Sequence, residues 1–164
     1  MLTLRHRCYI IYHYRQAERI MYMNLVQVSG GKAKERQLIE DVACWCVRKL
    51  LPRYRTLDIN IKIKDIESAY GYCVEGDHNR EFFIEIQKGL TLYHIISTVC
   101  HEMVHVRQYV KGELAHRTDG SQLWKAEPEL PRNTPYRKQP WEIEAFDLEA
   151  ELAFECFGEL EYSF

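Results

Sequence analysis

The chain has 164 residues, 46% hydrophobic and 12% aromatic, with 28% charged side chains, a net charge of −2 and only 8 Gly and 5 Pro. Those figures suit one compact domain with a real core, and they exclude disordered, collagen-like and low-complexity chains. No apolar run approaches the ~20 residues that span a bilayer, so no membrane partner is expected.

Charge is uneven. Residues 1–64 carry 13 Lys/Arg against 5 Asp/Glu, and the remainder 9 against 19. A basic first half is a feature of nucleic-acid contact, but the charges are scattered rather than blocked, which fits a solvated surface better. The apolar patch Cys8–Tyr12 is short, carries tyrosines and is followed by His13 and Arg15. That is not the pattern of a signal peptide, and a cytoplasmic location is expected. Six cysteines, mostly inside apolar runs, then read as buried reduced thiols. Cys44-Trp45-Cys46 has no matching second pair and makes a weak zinc motif.

In chain order, residues 1–22 show no decisive periodicity and are set apart as an extension, leaving 23–164 as a single domain. Ser29-Gly30-Gly31 is a breaker. From Lys32 to Leu51 the apolar positions Leu38, Ile39, Val42, Cys46 and Leu50 recur at helical spacing, and Pro52 ends the helix. Leu57–Lys64 alternates strictly and predicts a strand; Tyr70–Val74 and Phe82–Gln87 are two more. Phe82–Ile86 is a candidate rim strand, onto which an extended peptide could pair. Thr91–Lys111 predicts a helix closed by Gly112. Residues 112–140 hold four of the five prolines and read as a long ordered loop of the kind that is usually functional. Trp141–Leu160 is the last helix. The predicted class is α+β, with a small, mostly antiparallel three-stranded sheet.

The chemistry lies in His101-Glu102-Met103-Val104-His105, an HExxH. Histidines four apart share a helix face and can grip one metal ion, and the glutamate beside the first can act on water that the metal activates. Ile95, Ile96, Val99, Cys100, Met103, Val106 and Val110 make one apolar arc, so both histidines should project from the other side, toward a cleft or solvent. His94 is two turns from His101 and too far to share its ion.

This motif, a β-rich strand before it and the downstream Trp141-Glu142-Ile143-Glu144-Ala145 together resemble a small zincin metallopeptidase of the gluzincin type. With Pro140 in front, that downstream stretch is similar to SprT-like proteins encoded by tailed bacteriophages. The resemblance covers about residues 80–155. It implies one catalytic Zn2+, a zincin-like sheet whose edge strand borders a cleft, a peptide or protein substrate, and the host cytoplasm as location. A metzincin would have Gly and His where this chain has Gln108 and Lys111. The SprT group places a third histidine about 15 residues beyond the second; here the nearest is His116, eleven residues on.

For the third ligand, Glu142 and Glu144 stand about 200° apart on a helix and cannot both face one ion. The apolar residues Phe146, Ala150, Ala153, Cys156, Phe157 and Leu160 cluster around Glu142, whereas Glu144 shares its side with Asp147, Glu151 and Glu155. A carboxylate turned toward a core asks for a partner. The ExxA pattern of the resembled family also falls on Glu142. His101, His105 and Glu142 are therefore the expected ligands and Glu102 the general base, with His116 and Glu144 as alternative ligands. Glu149 is a candidate hydrogen-bond partner for a ligand histidine, and Tyr109, Tyr136 and His116 are candidates for second-layer or oxyanion roles.

The expected function is a zinc-dependent metalloendopeptidase. The alternatives are a non-catalytic zinc-stabilised binding module and an SprT-like protein acting on DNA-bound proteins. A further alternative is a zincin held inactive by its aromatic N-terminal extension. Oligomeric state has no signature in the sequence.

Overall fold

The structure, a computed structural model, describes residues 24–78, 80–117, 121–126 and 133–160. The N-terminal extension 1–22 lies outside them, and with it the question of self-inhibition.

The described elements are β1 (Leu25–Gly30), α1 (Ala33–Leu50), β2 (Asp58–Lys64), β3 (Gly71–Glu75), β4 (Glu81–Gln87), α2 (Leu92–Val110), β5 (Leu114–His116), β6 (Gln122–Trp124) and α3 (Pro140–Glu159). A single 3-10 turn at Tyr136–Lys138 precedes α3. The fold is α+β, and no described helix is long and apolar enough to cross a membrane.

The main sheet corrects the expectation of three mostly antiparallel strands. It has four, in the order β1-β2-β4-β3; β1 and β4 both run parallel to β2, and only β3 is antiparallel to its neighbour. β1 is the strand the sequence reading missed. Its alternation is brief, with Val26 buried and Val28 half-buried, before Gly30 turns to φ +80. A Cβ at Gly30 would lie 2.2 Å from the Ile63 carbonyl oxygen, so the chain crosses β2 where only glycine fits. The long loop holds the small β5–β6 hairpin, also unforeseen because three-residue strands carry no periodic signal.

Ile59, Ile61 and Ile63 of β2 with Phe82, Ile84 and Ile86 of β4 form the buried sheet face, packed with residues of α1 and α2 in one core. Thr91 caps α2 by accepting from the His94 N–H. Gly112, at φ +67, ends it while the Glu113 N–H donates back to the Gln108 carbonyl. β3, not β4, is the edge strand, which corrects the rim assignment: Phe82–Ile86 lies inside the sheet. In β3 the Gln87 N–H donates to the Tyr70 carbonyl and the Gly76 N–H to the Glu81 carbonyl, both at 2.8 Å. Antiparallel alternation then turns the N–H and C=O groups of Gly71, Cys73 and Glu75 outward, away from β4.

Cys46, Cys100 and Cys156 are free and buried, as expected; Cys44 is disulfide-bonded, which corrects the fully reduced reading.

Candidate metal centre

α2 and α3 pack side by side, and their contact is where the chemistry converges. The histidines were expected to project toward a cleft or solvent, and it is not solvent: His101, Glu102 and His105 are 5%, 4% and 6% exposed. Their side of α2 is covered by α3, which brings Glu142, also 5% exposed, against them. Glu142 lies in the first helical turn, behind Pro140, where unpaired backbone N–H groups favour a carboxylate.

His101 Nε2 and His105 Nε2 are 3.2 Å apart. The Glu142 carboxylate lies 3.2 Å from the first and 3.4 Å from the second. These three residues form the one group of His, Cys, Asp or Glu side chains able to hold a metal ion among the described residues. The outer nitrogens are taken: His101 Nδ1 lies 2.8 Å from the Glu149 carboxylate, and His105 Nδ1 lies 2.8 Å from the Gln108 side-chain oxygen. Carboxylate and amide oxygens only accept here, so both Nδ1 atoms carry hydrogen. Two imidazole nitrogens and a carboxylate oxygen are left facing one another, an acceptor set that suits a cation, and the fit to a divalent metal is good.

Without a cation at the centre, the carboxylates favour a proton on His101, one that a bound metal would displace. Burial alone would lower the His101 imidazole, but Glu142 and Glu149 outweigh it and raise it to about 9. Burial pushes Glu142 up, yet hydrogen bonds from the two histidines bring it down to about 2. For Glu102 burial wins over the nearby histidines and lifts it to about 7. The Glu102 carboxylate is not in the ligand group; it rests against the edge strand. A Cβ on Gly71 would fall 2.6 Å from Glu102 Oε1 and 2.8 Å from the Thr98 methyl carbon.

Of the expected second-layer residues, Glu149 takes the role anticipated for it. Tyr136 is 54% exposed as a residue, yet its hydroxyl hydrogen-bonds Glu142 and so stands at the site. Burial raises that hydroxyl above the usual tyrosine range, and the Glu142 hydrogen bond adds to it. Tyr109 and His116 are not brought to the group: the Tyr109 hydroxyl and His116 Nε2 bond each other at 2.8 Å. His116 as a ligand is thereby corrected. Glu144 as a ligand is corrected too, and so is its assignment to a solvated face. It is half-buried, ion-paired with Arg107, 3.2 Å from Lys125 Nζ, and accepts from Gln108 at 2.9 Å. The buried arc of α3 runs through Glu142, Ala145, Leu152, Ala153 and Cys156, while Ala150 is exposed. The wheel was therefore turned slightly from the true phase.

Gln108 was missed. Its spacing puts it on the histidine side of α2, and it is 0% exposed. The available signal was its position three residues after His105, one turn on and within side-chain reach.

No family model matches the chain, and neither a curated protein nor a solved structure matches it.

Proposed function

We propose that the chain is a zinc-dependent endopeptidase with a zincin-like site. One observation carries the reading. Two imidazole nitrogens and a carboxylate from a second helix converge within 3.4 Å, while a further buried carboxylate, Glu102, stands beside them without joining. A structural site has no use for that extra acid, and structural zinc sites are normally closed by four protein ligands. Here no fourth His, Cys, Asp or Glu completes the group among the described residues, which favours the catalytic reading over a zinc-stabilised binding module.

His101, His105 and Glu142 would hold the ion. When bound, it supplies Lewis acidity, which acidifies water and polarises a carbonyl. Glu102, lifted to about 7, is a base poised near neutral pH: it takes a proton from the attacking water and passes it to the leaving amine. Tyr136, at the rim with its hydroxyl near Glu142, can donate to an oxygen that gains negative charge. The outward N–H and C=O groups of Gly71, Cys73 and Glu75 offer an extended peptide a strand to pair with. Gly71 sets that edge directly against Glu102.

The test is zinc content together with cleavage of unfolded casein. Wild type should carry one zinc and cleave, and Glu102→Gln should keep the zinc and be silent. Equal activity in Glu102→Gln overturns the peptidase reading. Zinc without cleavage in wild type points to the binding module instead.

A further inference from the structure

We infer that Gln108 is a positioning residue: it fixes the tautomer of His105 and so aims the Nε2 lone pair at the centre, with Glu144 fixing Gln108 in turn. The inference rests on the metal-centre reading above.

An amide can face either way, and only its neighbours decide which end is nitrogen. The Gln108 Nε2 group lies 3.0 Å from the Trp141 carbonyl oxygen and 2.9 Å from a Glu144 carboxylate oxygen. Both neighbours are acceptors without hydrogen, so the NH2 must be at that end. A flipped amide would face two oxygens with a third and would lose two hydrogen bonds at a side chain that is 0% exposed. The orientation is therefore fixed, and the oxygen left over points at His105 Nδ1, 2.8 Å away. That oxygen can only accept. Nδ1 must donate, and in the neutral imidazole Nε2 is left as the lone-pair nitrogen, 3.2 Å from His101 Nε2.

Glu144 in turn does not float. It is ion-paired with Arg107 and lies 3.2 Å from Lys125 Nζ, just past β6. Arg107 also reaches Glu113 at 3.2 Å. Two cations from different segments hold the carboxylate that holds the amide that holds the imidazole. His101 is supported differently: Glu149, five residues after Glu144 on α3, acts on it directly. Gln108 and Glu149 therefore share one task on two histidines, one through a neutral amide and one through a carboxylate.

Two variants test the relay, read without reference to turnover. Long-range 1H–15N correlation spectra distinguish Nδ1–H from Nε2–H imidazole, and they apply to protein with or without metal. Wild type should show His105 as the Nδ1–H form. Metal-free Gln108→Leu, of similar size, should show a mixture, and its zinc affinity by chelator competition should fall about 10- to 100-fold. The absorption bands of its cobalt-substituted form should shift, as a mere loss of stability would not make them do. Glu144→Gln, which leaves the fold's apolar packing untouched, should loosen zinc only a few-fold while broadening the same His105 signals. An Nδ1–H His105 in Gln108→Leu with wild-type zinc affinity overturns the inference. Wild-type protein that binds no zinc yet shows Nδ1–H His105, lost in Gln108→Leu, removes the metal reading and leaves the relay standing.

Discussion

The two sides of α2 are buried alike and are held by different physics. On one side Val99, Cys100, Met103 and Val106 are each 0% exposed and belong to the hydrophobic core. On the other, His101, Glu102, His105 and Gln108 are 0–6% exposed; the histidines and Gln108 meet Glu142, Glu149 and Glu144 of α3, and Glu102 faces Gly71 of β3. Burial does not tell the two apart. The first side asks only for volume and shape, so a swap such as Met103→Leu should cost under about 1.5 kcal/mol. The second asks for a named donor or acceptor at each atom, and there an isosteric swap fails even when it fits.

The comparison breaks most completely at Glu142. On the proposed reading Glu142→Ala removes one of three ligands and leaves two imidazoles without their carboxylate, so zinc measured in the purified variant should fall to background. Glu144→Ala, two residues away, should retain one zinc per chain. Zinc lost from the second and kept by the first would mean that the ligand assignment on α3 is wrong.

The core side should break in the opposite currency. Met103→Ala removes a fully buried side chain and should cost about 2–5 kcal/mol in chemical denaturation. It should leave one zinc per chain at temperatures where the variant is folded. A Met103→Ala protein that is as stable as wild type but lacks zinc would erase the distinction between the two sides.

A third change sits on neither helix. Gly71 lies on β3, its φ outside the range that demands glycine, so alanine is permitted by the backbone and refused only by space. The new methyl would meet Glu102 Oε1 at 2.6 Å and displace the carboxylate. Gly71→Ala should therefore lower peptide cleavage about 100-fold, roughly 2.7 kcal/mol of barrier, with zinc content unchanged. Wild-type cleavage by Gly71→Ala would separate Glu102 from the reaction, whatever the metal does.

These contrasts also explain what was legible beforehand. The strict alternation of Asp58–Lys64 and the helical spacing behind His101 and His105 are local signals, so the helices, three of the strands and the pairing of the two histidines followed from residue order, while the choice of Glu142 also leaned on the resembled family's ExxA pattern. β1 did not, because a short Leu-Val-Gln-Val run gains its place only by pairing with β2, more than thirty residues away. Sheet direction was lost for the same reason: parallel and antiparallel partners leave the same alternation in a strand. The helical spacing put the histidines opposite the apolar arc correctly and left a cleft or solvent open in front of them. Gln108 and Glu144 show how that choice is made, since a polar residue can be buried wherever another element supplies its partners.

The smallest expected effect concerns Glu144 and its pH dependence. Burial pushes its carboxyl up, but the Gln108 amide and the Arg107 and Lys125 cations outweigh it and hold it below the usual carboxylate range. A depressed carboxylate stabilises the fold fully above its unfolded pKa, near 4.5, and loses that contribution as pH falls through the folded value. Other groups titrate over the same range, Glu142 among them, so the useful quantity is the difference between wild type and Glu144→Gln. That difference should be constant from pH 6 to 8, favour wild type, and shrink steadily in acid below about pH 4.5. Because Glu144 is only half-buried and solvent screens its ion pairs, the plateau should not exceed about 1 kcal/mol. Added salt should reduce it further if Lys125 contributes through charge. Denaturation midpoints of the two proteins at pH 7 and pH 3.5 settle the sign. A gap that widens in acid would mean that Glu144 is bound to a proton in the fold, and that the amide orientation at Gln108 needs another cause.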